Sequence, residues 1–159
     1  MSCGSKHHTG NCVCDILKEI AGAQQDIVEN CCDVSCEKSI SDLLGETEVS
    51  NGYDTVPFIL YCKDGCKPFK GYGSHPRNIG DMVGSYYFRV KKVDKNCCAV
   101  IEILRDRSDD QANPVNPVEQ RTGRLRATGI CITVDLNCFC HITCLPAIRA
   151  FGRPSNESR

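Results

Sequence analysis

Fourteen of the 159 residues are cysteine, at positions 3, 12, 14, 31, 32, 36, 62, 66, 97, 98, 131, 138, 140 and 144, and no two of them stand in C-x-x-C. That absence narrows the chemistry. Zinc ribbons use the tight two-residue spacing to aim two thiolates at one tetrahedral centre. Thioredoxin-like enzymes use it so that one thiol can resolve the mixed disulfide made by the other. The looser pairs Cys32-x3-Cys36, Cys62-x3-Cys66 and Cys140-x3-Cys144 keep a zinc-stabilised binding module open as the alternative reading. His141 would be its best histidine ligand, although a strand residue on a polar face is the plainer meaning of His141.

A cysteine density this high suggests a disulfide scaffold, but such scaffolds are usually short chains that lack a core. Here 41% of residues are hydrophobic and 25% charged, enough for one domain with a real core. Met1–His8 is polar and reads as no secretory leader, while thiols are normally kept reduced in the cytosol. Three explanations remain: metal ligands, cofactor ligands, or thiols that oxidise after synthesis. A formal net charge of −1 gives no electrostatic reason to expect nucleic acid or an anionic membrane as partner. No apolar run is long enough to suggest a transmembrane span.

Residues 1–14 read as a flexible Cys-rich arm, and 15–151 as a single domain followed by a polar tail, 152–159. Ile16, Leu17, Ile20, Ala23, Ile27 and Val28 recur at helical spacing, predicting a helix over about 15–30 with Asp15 as N-cap and Cys31 extending its apolar stripe. Strand signals follow. Val56–Tyr61 is a short apolar run, with Pro57 marking an edge or a strand start. Pro68–Tyr72 is weaker, and the Gly/Pro-rich stretch 71–80 reads as loop. Tyr86–Val93 alternates, with Tyr86, Phe88 and Val90 on one face and Arg89 and Lys91 on the other. Asp94–Asn96 turns into Cys97–Leu104; residues 105–121 form a long surface loop; Gly129–Leu136 is the clearest strand. The expected fold is mainly β, an antiparallel β-sandwich or partly closed barrel preceded by one N-terminal helix.

Strand parity sorts the thiols. On 97–104 the odd positions carry Cys97, Ala99, Ile101 and Ile103, so Cys97 points inward, while Cys98 and Glu102 point outward. Cys131 shares an outward face with Thr133 and Asp135. Cys138, Cys140 and Cys144 continue the inward even face if the register holds through Asn137. Cys31, Cys62, Cys97, Cys138, Cys140 and Cys144 are therefore the candidate buried or intrachain cysteines. Cys3, Cys12, Cys14, Cys32, Cys36, Cys66, Cys98 and Cys131 are the candidate intermolecular ones. The adjacent pairs Cys31-Cys32 and Cys97-Cys98 fit this division, because strand neighbours diverge and serve different partners. No catalytic residue, resident metal or cofactor is assigned. The histidines are dispersed or in the arm, no nucleophile elbow surrounds a serine, and no phosphate loop is present. The basic cluster Arg121-Thr122-Gly123-Arg124-Leu125-Arg126 reads as a solvated strand or loop.

One stretch is more specific than any of these patterns. Cys131-Ile132-Thr133-Val134-Asp135-Leu136-Asn137-Cys138-Phe139-Cys140-His141-Ile142-Thr143-Cys144-Leu145 resembles the C-terminal signature of the cysteine-rich spore-surface proteins CotY, CotZ and ExsY of Bacillus-type bacteria. Asn11-Cys12-Val13-Cys14-Asp15, Thr55-Val56-Pro57-Phe58, Phe88-Arg89-Val90 and Cys98-Ala99-Val100 support the likeness across most of the chain. His141 stands where that family usually carries a small residue. The resemblance implies a non-enzymatic structural protein of the spore coat, crust or exosporium, made in the mother-cell cytoplasm and deposited on the forespore. It also implies self-assembly into a hexamer-based two-dimensional lattice, disulfide cross-linking, and contact with other spore surface proteins. Late deposition would reconcile the cysteines with synthesis in a reducing compartment.

Overall fold

The computed structural model describes residues 10–23, 35–45 and 52–151. Cys3, Cys31 and Cys32, residues 24–30 of the expected helix, and the 152–159 tail lie outside the described residues.

The first helix, α1, spans Cys12–Ala23. It begins three residues before the expected start because Asn11, not Asp15, is the cap: its Oδ1 accepts from the Cys14 N–H at 2.9 Å. Asp15 falls instead in the first turn, where its charge complements the helix dipole. Residues 12–14 therefore belong to the folded domain rather than to an arm. Asn11 also donates through Nδ2 to the Leu136 carbonyl and to Asn137 Oδ1, tying the helix start to the far end of the chain. Val13, Leu17, Ile20 and Ala23 form its buried stripe. A second helix, α2 (Cys36–Leu43), lies in a stretch where no element was expected. Cys36, Ile40, Leu43 and Leu44 supply the same i, i+4, i+7, i+8 spacing, and the Ser39 hydroxyl donates to the Leu145 carbonyl at 2.7 Å.

Seven strands occur among the described residues: β1 (Phe58–Cys62), β2 (Gly71–His75), β3 (Asn78–Ser85), β4 (Phe88–Val93), β5 (Cys98–Asp106), β6 (Leu125–Asp135) and β7 (Phe139–Cys144). The antiparallel, mainly β architecture is the expected one, and the barrel does not close: one sheet runs β6-β5-β4-β1-β7, and β2-β3 forms a separate hairpin. β1 starts directly after Pro57, where the missing N–H costs the ladder nothing. Phe58, Leu60, Phe88, Val90, Ile101 and Ile103 are fully buried with the α1 stripe in the principal core. A smaller core on the other face holds Ile59, Tyr86, Tyr87, Leu104, Leu125 and Ala150.

Three departures from the sequence reading have clear causes. The 71–80 stretch is a hairpin, not a loop. Its glycines let the backbone lie against β6, for a Cβ at Gly73 would meet Ile130 Cγ2 at 2.2 Å and one at Gly71 would meet Phe88 and Ile132 below 3 Å. Arg89 and Glu102, expected outward, are buried as a 3.5 Å ion pair. Arg89 Nε donates to Thr55 Oγ1 at 2.9 Å, and its guanidinium lies over the Phe151 ring. The 105–121 loop is tied down rather than free at the surface. β5 runs on to Asp106, the Tyr86 and Tyr87 hydroxyls donate to the Val115 and Pro117 carbonyls, and the buried Gln120 side chain binds Tyr86 N and Ser85 Oγ.

Candidate functional site

Two disulfides lie inside this frame. Cys14 on α1 is bridged to Cys97, which sits at φ 65° in the turn before β5. Cys36 at the start of α2 is bridged to Cys144 at the end of β7. Each fastens a helix to the sheet across a long sequence separation, 83 and 108 residues. Cys14 and Cys36 are thus intrachain cysteines, not the intermolecular ones expected from sequence. Cys14 is fully buried, because a helix starting at Cys12 brings position 14 under the Asp94–Cys97 turn. The second bridge also removes Cys144 from any Cys140–His141–Cys144 ligand set. His141 is exposed, lies tilted against the Tyr61 ring with centroids 4.3 Å apart, and shares a 3.2 Å hydrogen bond with Thr143.

Seven described cysteines carry free thiols: Cys12, Cys66, Cys98, Cys131, Cys138 and Cys140 are exposed, and Cys62 is half-buried. The start of β5 separates the two members of one adjacent pair: Cys97, in the preceding turn and bridged to Cys14, is 6% exposed, while Cys98, the first strand residue, faces water. On β6, Cys131 lies on the outer face opposite Glu102. Parity fails after Asn137 for two reasons. A 3₁₀ turn, Leu136–Cys138, interrupts the strand and turns Cys138 outward. A bulge then pairs Tyr61 with His141 but Cys62 with Phe139, so Cys140 is the extra, outward residue. Cys138 and Cys140 therefore leave the buried set to which the sequence assigned them.

Five of these thiols gather around the 3₁₀ turn. Lys63 N donates to the Cys138 carbonyl, and the Cys140 thiol donates to the Cys62 carbonyl at 3.6 Å. A cleft of about 300 Å³ is lined by Cys12, Lys63, Asn137, Phe139 and Cys140. Leu136 N also bonds to the Cys97 carbonyl, and Cys98 pairs with Asp135 across the ladder, so Cys98 borders the same region. Partial desolvation, a hydrogen bond with Cys66 and the nearby Cys66 and Cys62 thiols all push the Cys140 pKa up. Cys66 itself holds a positive φ of 53° at the end of the β1–Pro68 turn. Among the described residues no group of three His, Cys, Asp or Glu side chains has the arrangement to hold a metal ion. What remains is a set of outward thiols on a domain whose helices are already fastened.

The model of the family described as spore coat protein Z matches residues 1–147. The chain belongs to the spore coat protein Z family. Among curated proteins, spore coat protein Z of Bacillus subtilis (strain 168) is 29% identical over 149 residues, covering 86% of this chain and 90% of that protein. No solved structure matches the chain. Family membership makes this a structural, cysteine-rich protein of an outer spore layer. Among the described residues no helix is long and apolar enough to cross a membrane.

Proposed function

We propose that the chain is a non-enzymatic building unit that assembles with copies of itself, and with other spore surface proteins, into an ordered sheet locked by interchain disulfides. The observation that carries this reading is the division of the cysteines. Among the described residues two bridges staple the helices to the sheet, while six exposed thiols (Cys12, Cys66, Cys98, Cys131, Cys138 and Cys140) face outward. Exposed thiols are a liability for a protein that stays monomeric. For one that is deposited and then oxidised they are the means of attachment. In each cross-link two thiols lose two protons and two electrons to dioxygen or a small disulfide, and dissociation then requires reduction. Ring closure and ring-to-ring contact need at least two distinct surfaces; hexameric rings, which the family resemblance implies, would supply a two-dimensional array.

Non-reducing electrophoresis of oxidised protein should give a ladder, or material too large to enter the gel, that collapses to the monomer with reductant. Replacing these six cysteines together with Cys3, Cys31 and Cys32 by Ser should abolish the ladder while far-UV circular dichroism keeps its β-rich form. A ladder that persists in that variant, or a wild-type chain that stays single after oxidation, overturns the proposal.

A further inference from the structure

The family and the thiols leave one part of the molecule without a role. At the Asp106–Leu125 end of the β5–β6 ladder, eight residues along β5 from Cys98, a cavity of about 440 Å³ is lined by Asp106, Ser108 and four arginines: Arg107, Arg121, Arg124 and Arg126. A second cavity of about 370 Å³ shares Arg124 and Arg126 with it and adds Arg149. Five of the chain's ten arginines thus meet in one groove of a protein whose net charge is −1.

The acids here offset this cluster only in part: Asp106 feels the charge of Arg121 but spends its hydrogen bonds on the loop. Asp106 lines the cavity, but its Oδ1 accepts from Ser108 N and Oγ, and its Oδ2 from Arg124 N. Neighbouring Asp109 accepts from the Gln111 and Arg121 backbone N–H groups. Arg105, on the same strand end, has its guanidinium bound to three carbonyls, of Gly84, Asp109 and Gln111. The guanidiniums of Arg107 and Arg124, by contrast, have no hydrogen-bond or ion-pair partner among the described residues. Like charges crowded into a concave wall are unfavourable unless a counter-charge joins them. A guanidinium fork matches carboxylate and phosphate oxygens bidentately.

We infer that this groove is a binding site for a compact, multiply charged oxyanion carrying two or more carboxylate or phosphate groups. The tied loop holds the arginines in place before the ligand arrives, since Gln120, Tyr86 and Tyr87 fix its backbone.

The test is calorimetric titration of the full chain, kept reduced so that it does not cross-link, with pyrophosphate and with citrate at constant ionic strength set by sodium chloride. One saturable site per chain is expected. Arg121→Gln with Arg124→Gln should weaken it by at least about tenfold; these exposed positions leave the fold intact by circular dichroism. Arg77→Gln, in the β2–β3 turn, should stay within about twofold of wild type. No saturation by either anion, or an equal loss in the Arg77 variant, overturns the assignment. So would heat that appears only when the chain associates with itself, seen by sedimentation, because the counter-charge would then come from another copy.

Discussion

Asp106 shows how one carboxylate can organise a loop. It is 5% exposed and accepts three hydrogen bonds from Ser108 and Arg124. Burial alone would raise its pKa, but those bonds and the charge of Arg121 outweigh it and hold the carboxyl below its ordinary value of 3.8. A depressed folded value means that the carboxylate stabilises the fold at all pH above the unfolded pKa. That contribution is lost as pH falls below 3.8 through the lowered value. Asp106→Ala should cost roughly 2–3 kcal/mol at neutral pH in urea unfolding, and the difference from wild type should shrink in acid. Cys140 has the opposite shift, upward. Only the thiolate reacts, so its alkylation by iodoacetamide, followed by peptide mass spectrometry, should keep accelerating above the ordinary thiol range near pH 8.5. A rate that levels off below that pH contradicts the shift.

At the scale of elements, hydrophobic period revealed most of the sheet and half of the helical layer. β4, β5 and β6 alternate because one face meets the principal core, and the α1 stripe is plain in Leu17, Ile20 and Ala23. The other elements were hidden for physical reasons. α2 buries a short stripe in a polar stretch, with Cys36 as its first apolar position. The β2–β3 hairpin carries glycine where an apolar side chain would mark a strand, because backbone contact with β6 replaces side-chain contact. The 3₁₀ turn and the β7 bulge reset the parity that would have placed Cys138 and Cys140. Gly73→Val should therefore cost about 1–3 kcal/mol by lifting the hairpin from Ile130. Gly80→Ala, where a Cβ meets only Asn78 Oδ1 at 3.5 Å, should stay within about 0.5 kcal/mol. Chemical unfolding compares the two. Replacing Cys14 and Cys97 together by Ser frees an 83-residue separation and should cost about 2–4 kcal/mol under oxidising conditions. A double variant as stable as wild type would mean that the bridge fastens nothing.

At the scale of the whole molecule, the described cysteines divide into those that complete the fold and those that remain outside it. Sequence parity assigned Cys97, Cys98 and Cys131 to the faces they occupy. Cys14, read as part of the arm, and Cys36, which no strand register covered, were misassigned, since a pairing across 83 or 108 residues leaves no local trace. Around the 3₁₀ turn Cys12, Cys62, Cys66, Cys138 and Cys140 converge, with Cys98 beside them and Cys131 further along β6, so cross-linking should be directional rather than scattered. The arginine groove lies at the opposite end of the β5–β6 ladder and should take no part in it. The most direct measurement is peptide mass spectrometry of oxidised assemblies mixed from isotopically light and heavy chains, which separates links within a chain from links between chains. The account predicts mixed-isotope links among Cys12, Cys66, Cys98, Cys131, Cys138 and Cys140, with Cys14–Cys97 and Cys36–Cys144 always within one chain. Mixed-isotope links through Cys14 or Cys36, or exposed cysteines joined only within their own chain, would contradict it.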